Sequence, residues 1–127
     1  MVKKTPKSIL VVEDDTALSE AYKLVLDHAG YTTRIAASGQ DALQAIEEDE
    51  PDIILLDIRM PVMDGIAFLK EYQPKTRPNP ASVIVFSNYD MEQEVDEVYE
   101  LGAERYVLKA WASPSELVKL INGTALR

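Results

Sequence analysis

At 127 residues, 46% of them hydrophobic, the chain is long enough for one domain around one core. It has no cysteine, which excludes a disulfide scaffold, a thiolate metal site and a cysteine nucleophile. A formal net charge of −9 makes it a poor electrostatic match for nucleic acid, and its apolar runs are far too short to span a bilayer.

The first seven residues, Met1 to Lys7, are polar and read as a tail without the apolar segment of a signal peptide. The expectation is a cytoplasmic protein of one domain, residues 1–127, with its core in residues 8–122. Ile9-Leu10-Val11-Val12 is a continuous apolar run, as expected for a strand buried on both faces of a parallel sheet. Thr16 to Ala29 has helical spacing at Leu18, Tyr22, Val25 and Leu26, and Gly30 is placed to end it. Tyr31 to Ala36 reads as the second strand. Ser38 is a good N-cap for a helix over Gly39 to Asp49, stopped by Pro51. The third strand, from Ile53, reaches Asp57. Pro61 to Gly65 is turn-like, and a helix runs from about Asp64 to Tyr72. Pro74, Pro78 and Pro80 mark Gln73 to Ser82 as a loop. The fourth strand ends at Ser87. Asp90 is a candidate cap for a helix through Leu101, ended by Gly102. The fifth strand ends at Lys109, and Ser113-Pro114 opens a last helix to about Asn122. Five strands alternating with five helices predict a doubly wound α/β fold with right-handed crossovers.

In an open parallel sheet, ligands bind at the carboxyl ends of the strands. Here those ends are Glu13-Asp14, Asp57, Ser87 and Lys109: three carboxylates, a hydroxyl and an amine. Acids after strands are often helix caps or solvated turn residues, and Asp15 reads as such a cap. The adjacent carboxylates Glu13 and Asp14 repel one another unless a cation offsets them, and with Asp57 they make an all-oxygen set that suits Mg²⁺. Asp57 is the candidate nucleophile for phosphorus, with Lys109 and the metal neutralising the transferring group. Taken singly, Lys109 and Ser87 read as a solvated lysine and a turn residue. The one histidine, His28, falls near the end of the first helix, and there is no Gly-x-Ser-x-Gly elbow for a Ser-His hydrolase. There is no Walker A loop, so ATP is not the expected donor.

Four segments together resemble the receiver domain of two-component response regulators. They are Ile9 to Asp15, Leu55 to Gly65, Phe86-Ser87 and Gly102 to Lys109, in family order and spacing over nearly the whole chain. The resemblance implies a flavodoxin-like fold with strand order 2-1-3-4-5. It implies Asp57 as phosphoacceptor, Asp14 as a direct Mg²⁺ ligand, Glu13 acting mostly through water and the Arg59 backbone carbonyl as a further ligand. Lys109 and Ser87 would bind phosphoryl oxygens. Tyr106 resembles the aromatic switch residue, while an aromatic packed on the last strand stays open as a reading of the residue itself. Pro61 and Gly65 would shape the loop after the acceptor.

The implied function is a signalling switch rather than an enzyme with an external substrate, although it catalyses its own phosphorylation and dephosphorylation. A histidine kinase or histidine phosphotransfer protein would be the donor. A downstream effector, or an output domain beyond this sequence, would read the face built from the fourth helix, fifth strand and fifth helix. No nucleic acid or membrane partner is expected of this domain. A stand-alone receiver and a piece of a longer regulator are both compatible with the sequence.

Two other classes compete. An aspartate-nucleophile phosphohydrolase of the haloacid-dehalogenase type needs a second aspartate two residues on, where this chain has Arg59, and a cap insertion it lacks. A phosphorylation-independent interaction module would have no need of the acids or of Lys109. Some positions depart from the family pattern. Ala110 and Trp111 stand where proline and phenylalanine are usual, Asn88 where the residue is usually small, and Arg59 and Tyr89 are bulky. Arg59, Asn88 and Tyr89 suggest a crowded line of attack for water and a long phosphorylated lifetime. The bond after the family's lysine is typically cis. Without proline a cis bond costs about 2.5–4 kcal/mol, but strain of this kind persists at functional sites, so the expectation leans to cis at Lys109–Ala110.

Overall fold

The chain is described by a computed structural model covering residues 7–60, 63–87, 92–111 and 113–124. Five strands, β1 (Ser8–Val12), β2 (Thr32–Ala36), β3 (Ile53–Asp57), β4 (Ser82–Ser87) and β5 (Arg105–Leu108), alternate with α1 (Thr16–His28), α2 (Gly39–Glu48), α3 (Gly65–Tyr72), α4 (Glu92–Glu100) and α5 (Pro114–Asn122). All pairings are parallel and the order is β2-β1-β3-β4-β5. The fold class and strand order expected from the sequence are those observed.

The sheet divides the apolar residues by alternation, because successive strand residues point to opposite faces. Ile9, Val11, Ile53, Leu55, Ile84 and Phe86 pack with Tyr22 and Leu26 of α1 and Leu117 and Ile121 of α5. Leu10, Val12, Ile54, Leu56, Val83 and Val85 pack with Ala42 and Ile46 of α2, Phe68, Leu69 and Tyr72 of α3 and Val98 of α4. Two cores flank one sheet, which explains why the inner strands β1, β3 and β4 carry continuous apolar runs rather than alternating ones.

Side-chain caps fix where the helices begin. Asp15 Oδ1 accepts from Leu18 N at 3.1 Å, Asp64 Oδ1 from Ala67 N at 2.9 Å, and Ser38 and Ser113 do the same for α2 and α5. Each such cap is worth about 1 kcal/mol. Gly30 and Gly102 follow α1 and α4 with φ of 102° and 107°, a region that disfavours any other residue. The expected cap Asp90 lies outside the described residues.

The proline-rich loop between α3 and β4 is pinned by Tyr72. Its buried hydroxyl accepts from Ala81 N at 2.8 Å and donates to Glu50 Oε2 at 3.2 Å. Arg77 lies 4.4 Å above the same ring and bonds Glu50 and the Tyr72 carbonyl. Burial, with the Glu50 charge nearby, pushes the Tyr72 phenol up to about 12. Tyr72→Phe strands a buried amide, so it should lower stability by about 1–3 kcal/mol in urea titrations. A loss below a few tenths would mean the amide finds another acceptor.

Two expectations about the last strand are corrected. β5 stops at Leu108, and Lys109 opens a short 3₁₀ turn, Lys109–Trp111. The Lys109–Ala110 bond is trans, since no described peptide bond is cis. Without a proline ring to make cis affordable, the chain rebuilds the link to the Ser113 cap as a turn.

Candidate functional site

Sheet register assembles the site. Asp57, the last residue of β3, is paired with Phe86 on β4, and Phe86 with Val107 on β5. On the other side Val12 pairs with Leu56, so Glu13, one residue further, comes level with Asp57. Glu13, Asp57 and Phe86 continue the alternation of Ile9, Leu55 and Ile84 and therefore share the face covered by α1 and α5. Lys109, two residues past Val107, falls on that face too.

The contacts follow from this arrangement. Lys109 Nζ lies 2.7 Å from Glu13 Oε1 and 3.2 Å from Asp57 Oδ2. It also sits 5.1 Å above the Phe86 ring, whose electron-rich face favours a cation. Phe86 is in turn held edge-on by Tyr22, with ring centroids 5.3 Å apart. Glu13 Oε2 accepts from Asp15 N at 3.1 Å, and Asp57 Oδ1 from Arg59 N at 3.2 Å. Glu13 and Asp57 are buried while Asp14 is exposed, and oxygens from the three lie within 4.8 Å of one another.

Burial raises the Glu13 carboxyl above the usual range, outweighing its bond to Lys109. Burial works the other way on Lys109, but the hydrogen bond and charges of Glu13 and Asp57 prevail and raise it, so the ammonium stays charged. One ammonium contacts two of the three clustered carboxylates, Glu13 and Asp57, and the third, Asp14, lies on the exposed side of the cluster. An all-oxygen set of this kind fits a hard divalent cation.

The remaining expected residues take different places. Ser87 ends β4, fully buried, on the side of Val83 and Val85. Tyr106 pairs with Val85, packs partly buried on that same core, and donates its amide to Tyr99 Oη at 3.0 Å. Both are thus on the α2–α4 side of the sheet. Arg59 follows β3, with an exposed side chain. His28, at the exposed end of α1, is remote from the cluster in sequence and structure. Pro61, Asn88 and Tyr89 lie outside the described residues.

Gly65 sets the loop after Asp57. Its amide donates to the Ile58 carbonyl at 2.9 Å. A Cβ there would stand 2.7 Å from the Asp57 carbonyl oxygen and 2.8 Å from Ile58 Cα. Both are backbone atoms, so neither can swing aside. Gly65→Ala should cost about 1–3 kcal/mol of stability and move the Asp57 and Arg59 amide resonances. A neutral substitution would show that the loop has slack.

Residues 9–122 match the response regulator receiver domain family. The chain belongs to that family. Among curated relatives, the transcriptional regulatory protein AfsQ1 of Streptomyces coelicolor is 35% identical over 102 residues, covering 80% of this chain and 44% of that protein. The chain spans about half the length, or somewhat less, of the curated relatives it matches. Among solved structures, a CheY-like receiver domain protein from Methanospirillum hungatei superposes with a TM-score of 0.83 at 32% identity, covering 91% of this chain and 90% of that one. The chemotaxis protein CheY4 of Vibrio cholerae also gives 0.83, at 25% identity, with 91% and 96% covered. This receiver therefore carries the fold of two-component signalling proteins. Among its described residues, no helix is long and apolar enough to cross a membrane.

Proposed function

We propose that this receiver takes a phosphoryl group on Asp57 from a histidine kinase or histidine phosphotransfer protein and transmits the change to its α4–β5–α5 face. The supporting observation is the buried Asp57 carboxylate, 3.2 Å from the Lys109 ammonium and clustered with Glu13 and Asp14.

An Asp57 carboxylate oxygen attacks phosphorus as the P–N bond of the donor phosphohistidine breaks, and the imidazole leaves with the bonding pair. Asp57 is held for this by the Arg59 amide on Oδ1, which leaves Oδ2 beside the lysine. Lys109 is aimed by Glu13 and by the Phe86 face, so its charge is in place before the phosphoryl oxygens arrive and no reorganisation is needed. The Ser87 hydroxyl would bind a phosphoryl oxygen, and Tyr106 on the same side of the sheet would respond to its movement. Asp14, Asp57, the Arg59 carbonyl and, through water, Glu13 would hold Mg²⁺, which when bound neutralises charge on the transferring group.

Beryllofluoride with Mg²⁺, a mimic of the acyl phosphate, tests the reading by amide chemical shifts. Shifts should cluster at Asp57, Ser87, Lys109 and along α4, β5 and α5. An unchanged spectrum would overturn it. The metal assignment has its own test. At a hundred times its Kd, Mg²⁺ should stabilise the protein by about 2.7 kcal/mol. Asp14→Asn should keep the fold and remove most of that gain. An undiminished Mg²⁺ effect on Tm in the variant would refute Asp14 as a ligand.

A further inference from the structure

An ion pair spans the mouth of the site. The Arg59 amide is fixed to Asp57, yet its guanidinium reaches across to α4, where Nη2 lies 2.9 Å from Glu94 Oε1. The two residues are 35 apart in sequence. The Arg59 side chain is 50% exposed and that of Glu94 17%. A second, looser pair, Lys70–Glu97 at 3.6 Å, joins α3 to the same helix.

Among the described residues, the helix these pairs hold is otherwise anchored by Val98 in the core and by Tyr99 Oη, which accepts the Tyr106 amide of β5 at 3.0 Å. The α4 sequence is Glu-Gln-Glu-Val-Asp-Glu-Val-Tyr-Glu, with no basic residue. Among its described side chains Val98 is the fully buried one, and Tyr99 is 44% exposed. An element with a small apolar footing and partly exposed ionic ties is of the kind that shifts at low free-energy cost.

We propose that Glu94 is a positioning residue: it draws the Arg59 guanidinium to α4 in the unphosphorylated state and gives it up to the phosphoryl group when Asp57 is modified. This rests on Asp57 being the acceptor. Arg59 is tethered two residues from Asp57, so an acyl phosphate there lies within reach of an arginine side chain. The phosphoryl group adds negative charge and three strong acceptor oxygens, and a guanidinium can bind two of them at once. Glu94 offers one carboxylate oxygen at 2.9 Å, and the arginine half of the pair is 50% exposed, so the contact is partly screened. The guanidinium therefore changes partner, α4 loses its tie to the β3–α3 loop, and the charge on Asp57 is felt by a helix it does not touch. Each partner favours one of two arrangements, which is what a population shift requires.

The experiment compares wild type, Glu94→Gln, Arg59→Gln and the double variant, each checked for an unchanged thermal melt. In unphosphorylated protein, Glu94→Gln should move the α4 amides part of the way toward their positions in the beryllofluoride–Mg²⁺ complex. It should also speed phosphorylation by acetyl phosphate about two- to fivefold, the range an exposed ion pair can carry. Neither effect should appear when Glu94→Gln is made in the Arg59→Gln background. Equal effects in both backgrounds, or none in either, would overturn the inference while leaving Asp57 as acceptor. A wild-type protein that takes up no phosphoryl group would instead overturn the underlying reading, and this one with it.

Discussion

Asp57→Asn should incorporate no phosphoryl group from a cognate kinase or from acetyl phosphate. The substitution is nearly isosteric. Its Oδ1 can still accept from Arg59 N, and Glu13 still holds Lys109 at 2.7 Å, so the site keeps its shape. What is lost is the anionic oxygen proposed to attack phosphorus. The amide nitrogen also turns a donor toward the lysine where an acceptor stood, 3.2 Å away. Asp14 is exposed, while Glu13 is committed to Lys109 and the Asp15 amide, so neither replaces Asp57. Incorporation of hydroxylamine-labile phosphate in a folded Asp57→Asn protein, at the wild-type level, would remove Asp57 from its assigned role.

Lys109→Met should damage both chemistry and stability. Its side chain is 12% exposed, and the carboxylates it serves, on Glu13 and Asp57, are 1% and 4% exposed. Removing one member of a buried ionic cluster costs about 3–5 kcal/mol, and the exposed side at Asp14 puts this case at the lower end. The loss depends on pH in a definite direction. Glu13 already has its pKa raised by burial, and without the ammonium it rises further. A carboxyl raised in the folded state gives stability that is fully present below its unfolded pKa and lost as pH rises through the folded one. The stability deficit of Lys109→Met should therefore be largest at neutral pH and shrink as the pH falls through the raised Glu13 pKa. Phosphorylation should slow by about 10²–10³-fold, the usual effect of removing one preorganised charge-stabilising donor. A variant of wild-type stability at pH 7 that is phosphorylated normally would contradict both halves.

Much of this site was legible because strand ends in a parallel sheet converge whatever the helices do. Four apolar runs pointed to Glu13-Asp14, Asp57, Ser87 and Lys109, and the register places these residues at one edge of the sheet. The α5 boundary was legible because Ser113-Pro114 is a strong start signal, and the observed helix begins at Pro114. What the apolar runs alone did not state was which of the two adjacent acids is buried. Strand alternation buries Glu13 beneath Lys109 and turns Asp14 outward. The signal was available in the alternation of Ile9 and Val11, which Glu13 continues.

Phe86 enters the sequence reading only as part of the Phe86-Ser87 segment, yet it forms the apolar floor under the Lys109 ammonium. Its pairing with Asp57 and Val107 is a property of the register between strands, which no single segment encodes. The Arg59–Glu94 pair was illegible for the same reason, being a contact between a loop and a helix far apart in sequence. The Lys109–Ala110 bond was misjudged because strain tolerated at functional sites was weighed above the intrinsic preference for trans. The chain satisfies both ends of the loop with a 3₁₀ turn instead.

The central claim, that Asp57 is the acceptor, is tested most directly by trapping the acyl phosphate. The wild-type protein is phosphorylated in Mg²⁺, reduced with borohydride, which converts an aspartyl phosphate to homoserine, and mapped by peptide mass spectrometry. Homoserine should appear at position 57 and nowhere else, and should vanish when Mg²⁺ is chelated before the donor is added. Homoserine at another aspartate, phosphate retained on Ser87, or the absence of any reduced product with either a small donor or a cognate kinase would contradict the account.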